Sequence, residues 1–457
     1  MRWAIALGAL LGACTATVEP SVYREPDRTQ PHSITARPFY AGYGEAIGAQ
    51  PLRWSAQSVA RDFDRLMFMT EWGADVPVLL KWEKPVTVAL ATNELSRYRP
   101  FLEDLLGRIS NAAPGLDVSI APGSKGDITL RNAPRAEMDE IAADALCFFI
   151  PIDVEWEEFK SLDARNAAGW EDVESYDAIT VFIPAFAAPY EVRACILEEV
   201  TQALGPGNDL RDLEDSIFND DNAHTWPTSF DLLILRTLYQ DVLRNGTKPE
   251  AANSLALQRL RSEALGGQRR PADRVGPQYD RAIGVAEENT DLELRSRAAQ
   301  AAISLAQTEG AAPHRLGEAY KAAAFVAFES NNPQLVIENL LRAERAHARA
   351  LPAGSPHLAR VRSELAINLI NLERHEAGLA FLKLAEPVFA ANGSDWQLAH
   401  ALRWRAIALS QLGFWAEASG TALEALDWAR YVYGGGSKVV VSWREEFVDI
   451  GLIASSG

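Results

Sequence analysis

The sequence is poor in the residue types that build disulfide and metal scaffolds. Its 457 residues include only 3 cysteines and 7 histidines. This scarcity excludes a small disulfide-stapled fold and an array of zinc fingers, because both need many such side chains. Basic charge is scarce too, since 44 Lys and Arg stand against 62 Asp and Glu, for a formal net charge of -18. Because phosphate backbones repel an acidic chain, we expect no nucleic-acid partner.

Common catalytic signatures are also missing. The sequence has no glycine-rich phosphate-binding loop of either common type and no G-x-S-x-G nucleophile elbow. At about 100–200 residues per domain, the length suggests two or three domains. The sequence contains an N-terminal segment, a region of alternating helix and strand patterns that carries a motif, and a helical region.

The first 14 residues have the pattern of a secretion signal. Met1-Arg2-Trp3 carries one positive charge, an apolar run covers residues 4–13, and Cys14 follows. The run is about half as long as a membrane span. Residues 11–14, Leu-Gly-Ala-Cys, resemble a bacterial lipobox, which implies a signal peptide over 1–13 and a lipid on Cys14. A plain signal peptide that happens to contain a cysteine is the alternative.

Residues 14–52 predict a disordered tether behind this lipid, because they are rich in Pro, Ser, Thr and Gly and show no apolar period. The chain is therefore expected to be membrane-anchored by its lipid on the periplasmic side of a bacterial envelope. Two other cysteines remain, Cys147 and Cys195, and they can pair in an oxidising periplasm. Two buried free thiols are the alternative.

Residues 53–248 alternate between helical and strand patterns, which predicts an α+β domain. Apolar residues at helical spacing indicate helices, and short alternating or fully apolar runs indicate strands. The predicted helices cover 54–72, 98–109 and 189–204, and the predicted strands cover 85–90, 117–120, 127–130, 147–150 and 178–183.

Three segments of this domain, 195–205, 216–221 and 228–239, resemble the metzincin metallopeptidases in order and spacing. The metzincin signature is H-E-x-x-H-x-x-G-x-x-H, followed by a turn with a methionine and a closing helix. Here the three histidine positions hold Glu198, Gln202 and Asn208, the catalytic glutamate position holds Glu199, the glycine is Gly205, and the methionine of the turn is replaced by Phe218.

The replaced histidines bear on the chemistry. A catalytic zinc needs three histidine or carboxylate ligands and an open position for water. Glu198 and Gln202 share a helix face at i and i+4, but the amides of Gln202 and Asn208 are poor zinc ligands. Apart from His32 and His224, every histidine lies beyond residue 300. The resemblance therefore implies a zincin-like fold with an altered or lost metal site, and we expect no metal.

Three interpretations of Glu198, Glu199 and Gln202 stay open. They form a buried polar cluster, or line a binding groove in a fold without catalysis, or serve a hydrolase with an unusual carboxylate metal site and Glu199 as general base. Zinc at that site, or calcium on the oxygen atoms of residues 219–221, are the alternatives to having no cofactor. The signature E-E-x-T-Q-x-L-G followed by S-I-F-N-D is also similar to that of a bacterial family of unknown function, over residues 55–249.

Residues 285–435 predict an all-α domain of helical hairpins. Three similar segments, 332–343, 373–385 and 413–425, recur about every forty residues, and a helical pattern precedes each one. The pattern resembles tetratricopeptide repeats, which implies a protein or peptide partner on a concave face. An irregular helical bundle is the alternative.

Two flanking segments complete the chain. Residues 249–284 are interpreted as a linker with a basic strip, and residues 436–457 as a tail with a last strand or helix. The sequence as a whole predicts a lipoprotein that binds or scaffolds partners without catalysis. The alternative is an atypical metal-dependent hydrolase.

Overall fold

The computed structural model of the chain describes residues 32–40, 52–70, 73–142, 145–162, 170–219, 221–270, 276–308 and 311–454. The predicted signal peptide over 1–13 and the predicted lipid site Cys14 lie outside these residues. Residues 32–40 were expected to belong to a disordered tether, but they pack on the rest of the protein through the contacts described below. Within the described residues, no helix is both long enough and apolar enough to cross a membrane.

The first domain contains a five-stranded mixed sheet. Its strands are β1 (Val86–Leu90), β2 (Val118–Ile120), β3 (Ile128–Ala133), β4 (Phe148–Ile150) and β5 (Ile179–Pro184). They lie in the order β2-β1-β3-β5-β4, and β4 at the edge is the strand that runs antiparallel to its neighbour. Every residue of β5 is buried, as its continuous apolar run requires of an interior strand.

Eight α-helices in the described part of the chain surround this sheet or extend its core. They are α1 (Ala56–Met67), α2 (Asn93–Ser96), α3 (Arg99–Ala112), α4 (Arg135–Ile141), α5 (Trp156–Ser161), α6 (Pro189–Gln202), α7 (Ser229–Leu238) and α8 (Pro249–Leu260).

Helix α6 carries the E-E-x-T-Q motif, and both of its ends are fixed locally. Pro189 begins the helix, and the Glu191 carboxylate accepts a hydrogen bond from the backbone N–H of Ala188 at 2.7 Å. The chain turns away at Gly205, which has φ +141°, and a Cβ there would stand 2.3 Å from Cδ2 of Leu238. Glycine at this position therefore lets the chain pass α7 closely.

The sequence predicts a linker over residues 249–284, but part of this segment is a helix that belongs to the first domain. Helix α8 lies within it and packs against α1, with Ala252, Ala256 and Leu260 in the core of the first domain. The basic strip contains Arg270, whose side chain is 2% exposed and ion-paired. Charge alone indicated a solvated segment, whereas the fold supplies carboxylate partners from distant parts of the sequence.

The described residues of the C-terminal region form nine helices, which are together called the helical array. They are α9 (Gly276–Glu288), α10 (Leu292–Thr308), α11 (Arg315–Glu329), α12 (Pro333–Ala350), α13 (Pro356–Asn371), α14 (His375–Asn392), α15 (Asp395–Gln411), α16 (Trp415–Tyr433) and α17 (Lys438–Asp449). Helices α11 to α16 pack as consecutive pairs, and the repeating Ala343, Ala385 and Ala425 are fully buried between helices. The unassigned tail forms helix α17.

A disulfide bond joins the sheet to the motif helix. Cys147 directly precedes β4, Cys195 lies in α6, and their Sγ atoms are 2.10 Å apart. The bond closes a loop of 48 residues, so it restricts the unfolded chain and stabilises the folded domain by about 2–4 kcal/mol.

Candidate functional site

The amide side chains at two altered zinc-ligand positions are occupied by hydrogen bonds within the protein. Gln202 is 1% exposed, and its Nε2 donates to Oδ1 of Asp209 at 3.0 Å. Asn208 is 5% exposed, and its Nδ2 donates to the carbonyl oxygen of Arg65 at 2.9 Å. These contacts suit a buried polar cluster, in which each amide satisfies a neighbouring acceptor.

The two motif glutamates differ in burial. Glu199 is buried, whereas Glu198 is half-buried on the same helix. Within the described residues, no group of three or more His, Cys, Asp or Glu side chains is placed to hold a metal ion. Because Gln202 and Asn208 offer amide groups that are already engaged, the residues of this site do not fit a catalytic zinc. The role of Glu199 as a general base stays a prediction.

The S-I-F segment is held by the closing helix. Phe218, at the position of the metzincin methionine, is fully buried. The Asp231 carboxylate accepts hydrogen bonds from Oγ of Ser216 at 2.5 Å and from the backbone N–H groups of Ile217 and Thr228 at 3.2 and 2.7 Å. Burial raises the pKa of Asp231 to about 7, although these donors oppose the rise. This part of the motif therefore has a structural explanation.

Between α6 and α7, the described residues 203–219 and 221–228 form a junction loop between the first domain and the helical array. Arg270 anchors the loop, because its guanidinium contacts Glu214 at 2.8 Å and Asp215 at 2.5 Å as well as Asp62 of α1 at 2.9 Å. An arginine that is 2% exposed needs such partners, since an unpaired buried charge is costly. The loop is thus fixed from the first domain's side.

From the other side, His357 of α13 binds the junction loop through both ring nitrogens. Nδ1 lies 3.0 Å from Oδ2 of Asp221, and Nε2 lies 3.0 Å from the carbonyl oxygen of Glu214. Burial alone would lower the pKa of His357, but the Asp221 carboxylate outweighs burial and leaves that pKa raised. Burial would likewise raise the pKa of Asp221, and His357 instead holds it well below its usual range. Asp221, considered above as a calcium ligand, therefore belongs to an ion pair.

Helix α6 also contacts the last repeats directly. Arg193 donates to Oδ2 of Asp395 at 2.9 Å and to the carbonyl oxygen of Tyr431 at 3.3 Å, and its guanidinium lies 3.9 Å from the centre of the Tyr431 ring. Tyr190 stacks edge-on against Tyr433, with ring centres 5.6 Å apart. One face of the motif helix is thus buried against the array.

A cavity of about 570 Å³ lies where α6, the junction loop and helices of the array, mainly α11, α13 and α15, meet. Both domains supply aromatic and apolar side chains to it, and amide, hydroxyl and charged groups are spread among them. The side chains that line it include Tyr190, Arg193, Leu197, Trp226, Glu287, Glu364, Asn368, Gln397 and Tyr431. Neither Glu198, Glu199, Gln202 nor Asn208 lines this cavity, so the altered metal site and the cavity are separate features.

Sequence reasoning did not find this cavity. Its walls come from residues that are more than a hundred positions apart, such as Arg193 and Asn368. The signal that was present is the repeat pattern, which indicated a concave face without identifying the residues on it. That α6 and the junction loop line the cavity together with the array follows only from the docking of the two domains.

Comparisons with known proteins cover the two domains separately. Residues 56–257 match the family model described as "Protein of unknown function (DUF2927)", which confirms the predicted match of the first domain to a family without an assigned function. Two solved structures are similar to the array; both are TPR-like repeats of a Podosopora anserina chain described as a kinesin light chain. Each is 13% identical and covers 39% of this chain, with 85% and 91% of those chains covered and TM-scores of 0.32 and 0.30.

At such scores the likeness assigns no fold, so the description of the array rests on its own helix pairs. No curated protein matches the sequence. The first domain therefore matches a family of unknown function, and it is followed by an array of helical hairpins.

Proposed function

We propose that the protein is a peptide-binding scaffold of the bacterial cell envelope. The observation that carries this proposal is the cavity between α6, the junction loop and helices α11, α13 and α15 of the array. A volume of about 570 Å³ is within the range of about 300–1,000 Å³ that ligand sites usually have. The cavity would hold a few residues of an extended peptide.

The chemistry of the walls suits a peptide. Trp226 and Tyr431 offer apolar ring surface, and Asn368 and Gln397 offer amide groups that can pair with a peptide backbone. Helical-hairpin arrays commonly bind extended segments on their inner side, which is long and concave. Large aromatic surfaces with few polar groups between them are typical of such sites.

In this proposal the first domain is a degenerate zincin-like fold that serves as one wall of the site. The order of the motif supports this interpretation, since a helix with E-E-x-T-Q is followed by Gly205, a turn at Phe218 and the helix α7. The side chains that would replace zinc ligands are engaged in hydrogen bonds. Tyr190, Arg193 and Leu197 of the same helix line the cavity.

The envelope location rests on two features. Residues 11–14 resemble a lipobox, and the disulfide between Cys147 and Cys195 suits an oxidising compartment such as the periplasm. We propose that Cys14 carries a lipid and that the folded domains face the periplasm. Labelling of the expressed protein with a radioactive fatty acid, compared with the Cys14→Ala variant, tests the anchor.

Selection of binders from a random peptide library tests the proposed function. Asn368 lies half-buried in the cavity wall, so Asn368→Trp should fill the cavity and weaken the selected peptides by about tenfold or more, read by fluorescence anisotropy. Lys383→Trp is the matched control, because it adds the same ring at an exposed position of α14. Equal affinities for the native chain and both variants would reject the cavity as the binding site.

A further inference from the structure

Residues 32–40, named here the strap, cross from the first domain to the last repeats. The His32 carbonyl oxygen accepts a hydrogen bond from Arg97 of the first domain at 2.7 Å. Oγ of Ser33 accepts one from the backbone N–H of Gly435, beyond α16, at 2.9 Å. The chain's own segment therefore bridges the same two domains that form the cavity.

The side chain of Arg37 lies at the cavity mouth. It is part of the cavity lining, and its guanidinium carbon lies 5.7 Å from the ring centre of Trp226 and 6.0 Å from that of Tyr431. One of these rings belongs to the junction loop and the other to α16. Farther along the strap, Tyr40 packs against the core of the last repeats. The strap thus occupies the cavity mouth with an arginine between two aromatic rings, Arg37, and with an aromatic residue that follows it, Tyr40.

The charge of the cavity favours such a cation. Apart from Arg37, five carboxylate side chains line it against three cationic ones; the carboxylates belong to Glu191, Asp221, Glu287, Glu364 and Asp395, and the cations to Arg193, Lys321 and Arg360. Within the part of the chain that the structure describes, Glu287 and Glu364 form no ion pair. The lining is therefore net negative, as is the whole chain at -18, and both attract a basic ligand.

The strap lies on the surface, where a partner segment can compete for the same contacts: Ser33, Arg37 and Phe39 are exposed. Arg37 itself is exposed, whereas the rings of Trp226 and Tyr431 that it faces are 4% and 8% exposed. The two hydrogen bonds of His32 and Ser33 lie on exposed backbone and a hydroxyl group, where each adds about 1 kcal/mol. A segment of the same chemistry with additional contacts inside the cavity would compete with it.

We propose that the cavity binds an extended segment of a partner protein that carries an arginine between a small hydroxyl residue and an aromatic residue, and that the strap is the chain's own copy of this ligand. The proposal rests on the proposed peptide-binding function and names its ligand class. In the strap the corresponding residues are Ser33, Arg37 and Tyr40. When no partner is present, the strap covers the cavity mouth.

The test uses a fluorescein-labelled peptide with the sequence of residues 32–40 and the full-length chain. Anisotropy titrations should show weak binding to the native chain, because the strap competes from within the same molecule at an effective concentration near millimolar. The Arg37→Glu chain, whose own strap loses the cation–ring contacts with Trp226 and Tyr431, should bind the peptide about tenfold tighter or more. A peptide that itself carries Arg37→Glu should not bind either chain.

Two adjacent glycines, Gly435 and Gly436, provide a matched pair of variants of the surface that contacts the strap. A Cβ at Gly435 would lie 3.1 Å from Oγ of Ser33, whereas one at Gly436 would meet nothing within 4 Å. In the Arg37→Glu chain, Gly435→Leu should therefore lower the affinity for the peptide, and Gly436→Leu should leave it unchanged. Both glycines are exposed and have ordinary φ values, so either variant should fold.

Three results would overturn the inference. The first is that the peptide fails to bind the Arg37→Glu chain, and the second is that the peptide with Arg37→Glu binds equally well. The third is that the native chain forms a dimer that Arg37→Glu abolishes, because the ligand of the cavity mouth would then be a second copy of the chain. If library peptides still bind and Asn368→Trp weakens their binding, the proposed peptide-binding function holds and only the proposed ligand class is wrong. If neither kind of peptide binds, the proposed function fails with it.

Discussion

His357 ties the helical array to the junction loop through both of its ring nitrogens. Its two ring nitrogens face the Asp221 carboxylate and the Glu214 carbonyl oxygen, each at 3.0 Å, so both nitrogens can donate when the ring is protonated. His224 faces the same carbonyl at 3.2 Å, but burial together with the charge of His357 lowers its pKa. The junction therefore places side by side one imidazole whose pKa is raised and one whose pKa is lowered, with ring centres 5.9 Å apart.

The pH dependence of stability follows from the His357–Asp221 pair. Folding raises the pKa of His357 above its unfolded value of about 6.5 and lowers that of Asp221 below about 3.9. The stabilisation from His357 is complete below about pH 6.5 and is lost as the pH rises through its folded pKa. The stabilisation from Asp221 is present above about pH 4 and is lost as the pH falls through its folded pKa.

Asp221→Asn should accordingly destabilise the protein near pH 6 and much less near pH 9, measured by urea unfolding at both pH values. We expect a loss of about 2 kcal/mol at pH 6, below the figure for fully buried pairs because 29% of the Asp221 side chain is exposed. Asp427→Asn breaks an exposed pair with Arg430 and should change stability little at either pH. An equal loss at both pH values would contradict the charged state assigned to His357.

Arg270 shows which residues sequence reasoning could not place. In the sequence it stands in a basic strip, where arginines usually face water. In the fold it contacts Asp62, Glu214 and Asp215, which lie 55 or more positions away along the chain. Local charge patterns carry no information about such distant partners. The linker prediction over 249–284 assumed that these arginines face water, whereas Arg270 is buried among carboxylates.

At the scale of elements, the strands and the motif helix were predictable because their patterns are local. The alternating run of β1 and the apolar run of β5 lie where the sequence predicts strands, and α6 begins at Pro189 as predicted. The sequence placed Gly205 at the position of the metzincin glycine. The structure adds the reason, since α7 passes so closely that no Cβ fits there.

Gly205→Ala should destabilise the first domain by about 2 kcal/mol or more, because it combines an unfavourable φ of +141° with a contact of 2.3 Å to Leu238. Gly107→Ala is the control in α3, where a Cβ meets nothing within 4 Å. That change should stabilise the protein by about 0.5–1 kcal/mol, since alanine favours a helix interior. Thermal unfolding followed by circular dichroism gives both values, and similar effects of the two variants would contradict the close passage of α7.

At the scale of the whole molecule, the cavity is a product of two domains rather than of either one. The first domain contributes mainly α6 and the junction loop, and the array contributes mainly α11, α13 and α15, with Glu287 of α9 and Tyr431 of α16. The strap then closes part of the mouth with a segment that precedes both domains. The sequence could predict each domain separately, but it could not predict their docking, which depends on contacts such as Arg193 with Asp395.

The central claim is that a peptide binds between the two domains. Photo-cross-linking of a library-selected peptide that carries a benzophenone group, followed by mass spectrometry, tests this claim most directly. We predict cross-links to both walls, on α6 between Tyr190 and Leu197 and on α13 between Ser363 and Asn368. Cross-links confined to one domain, or to the exposed side of α14 around Lys383, would contradict it.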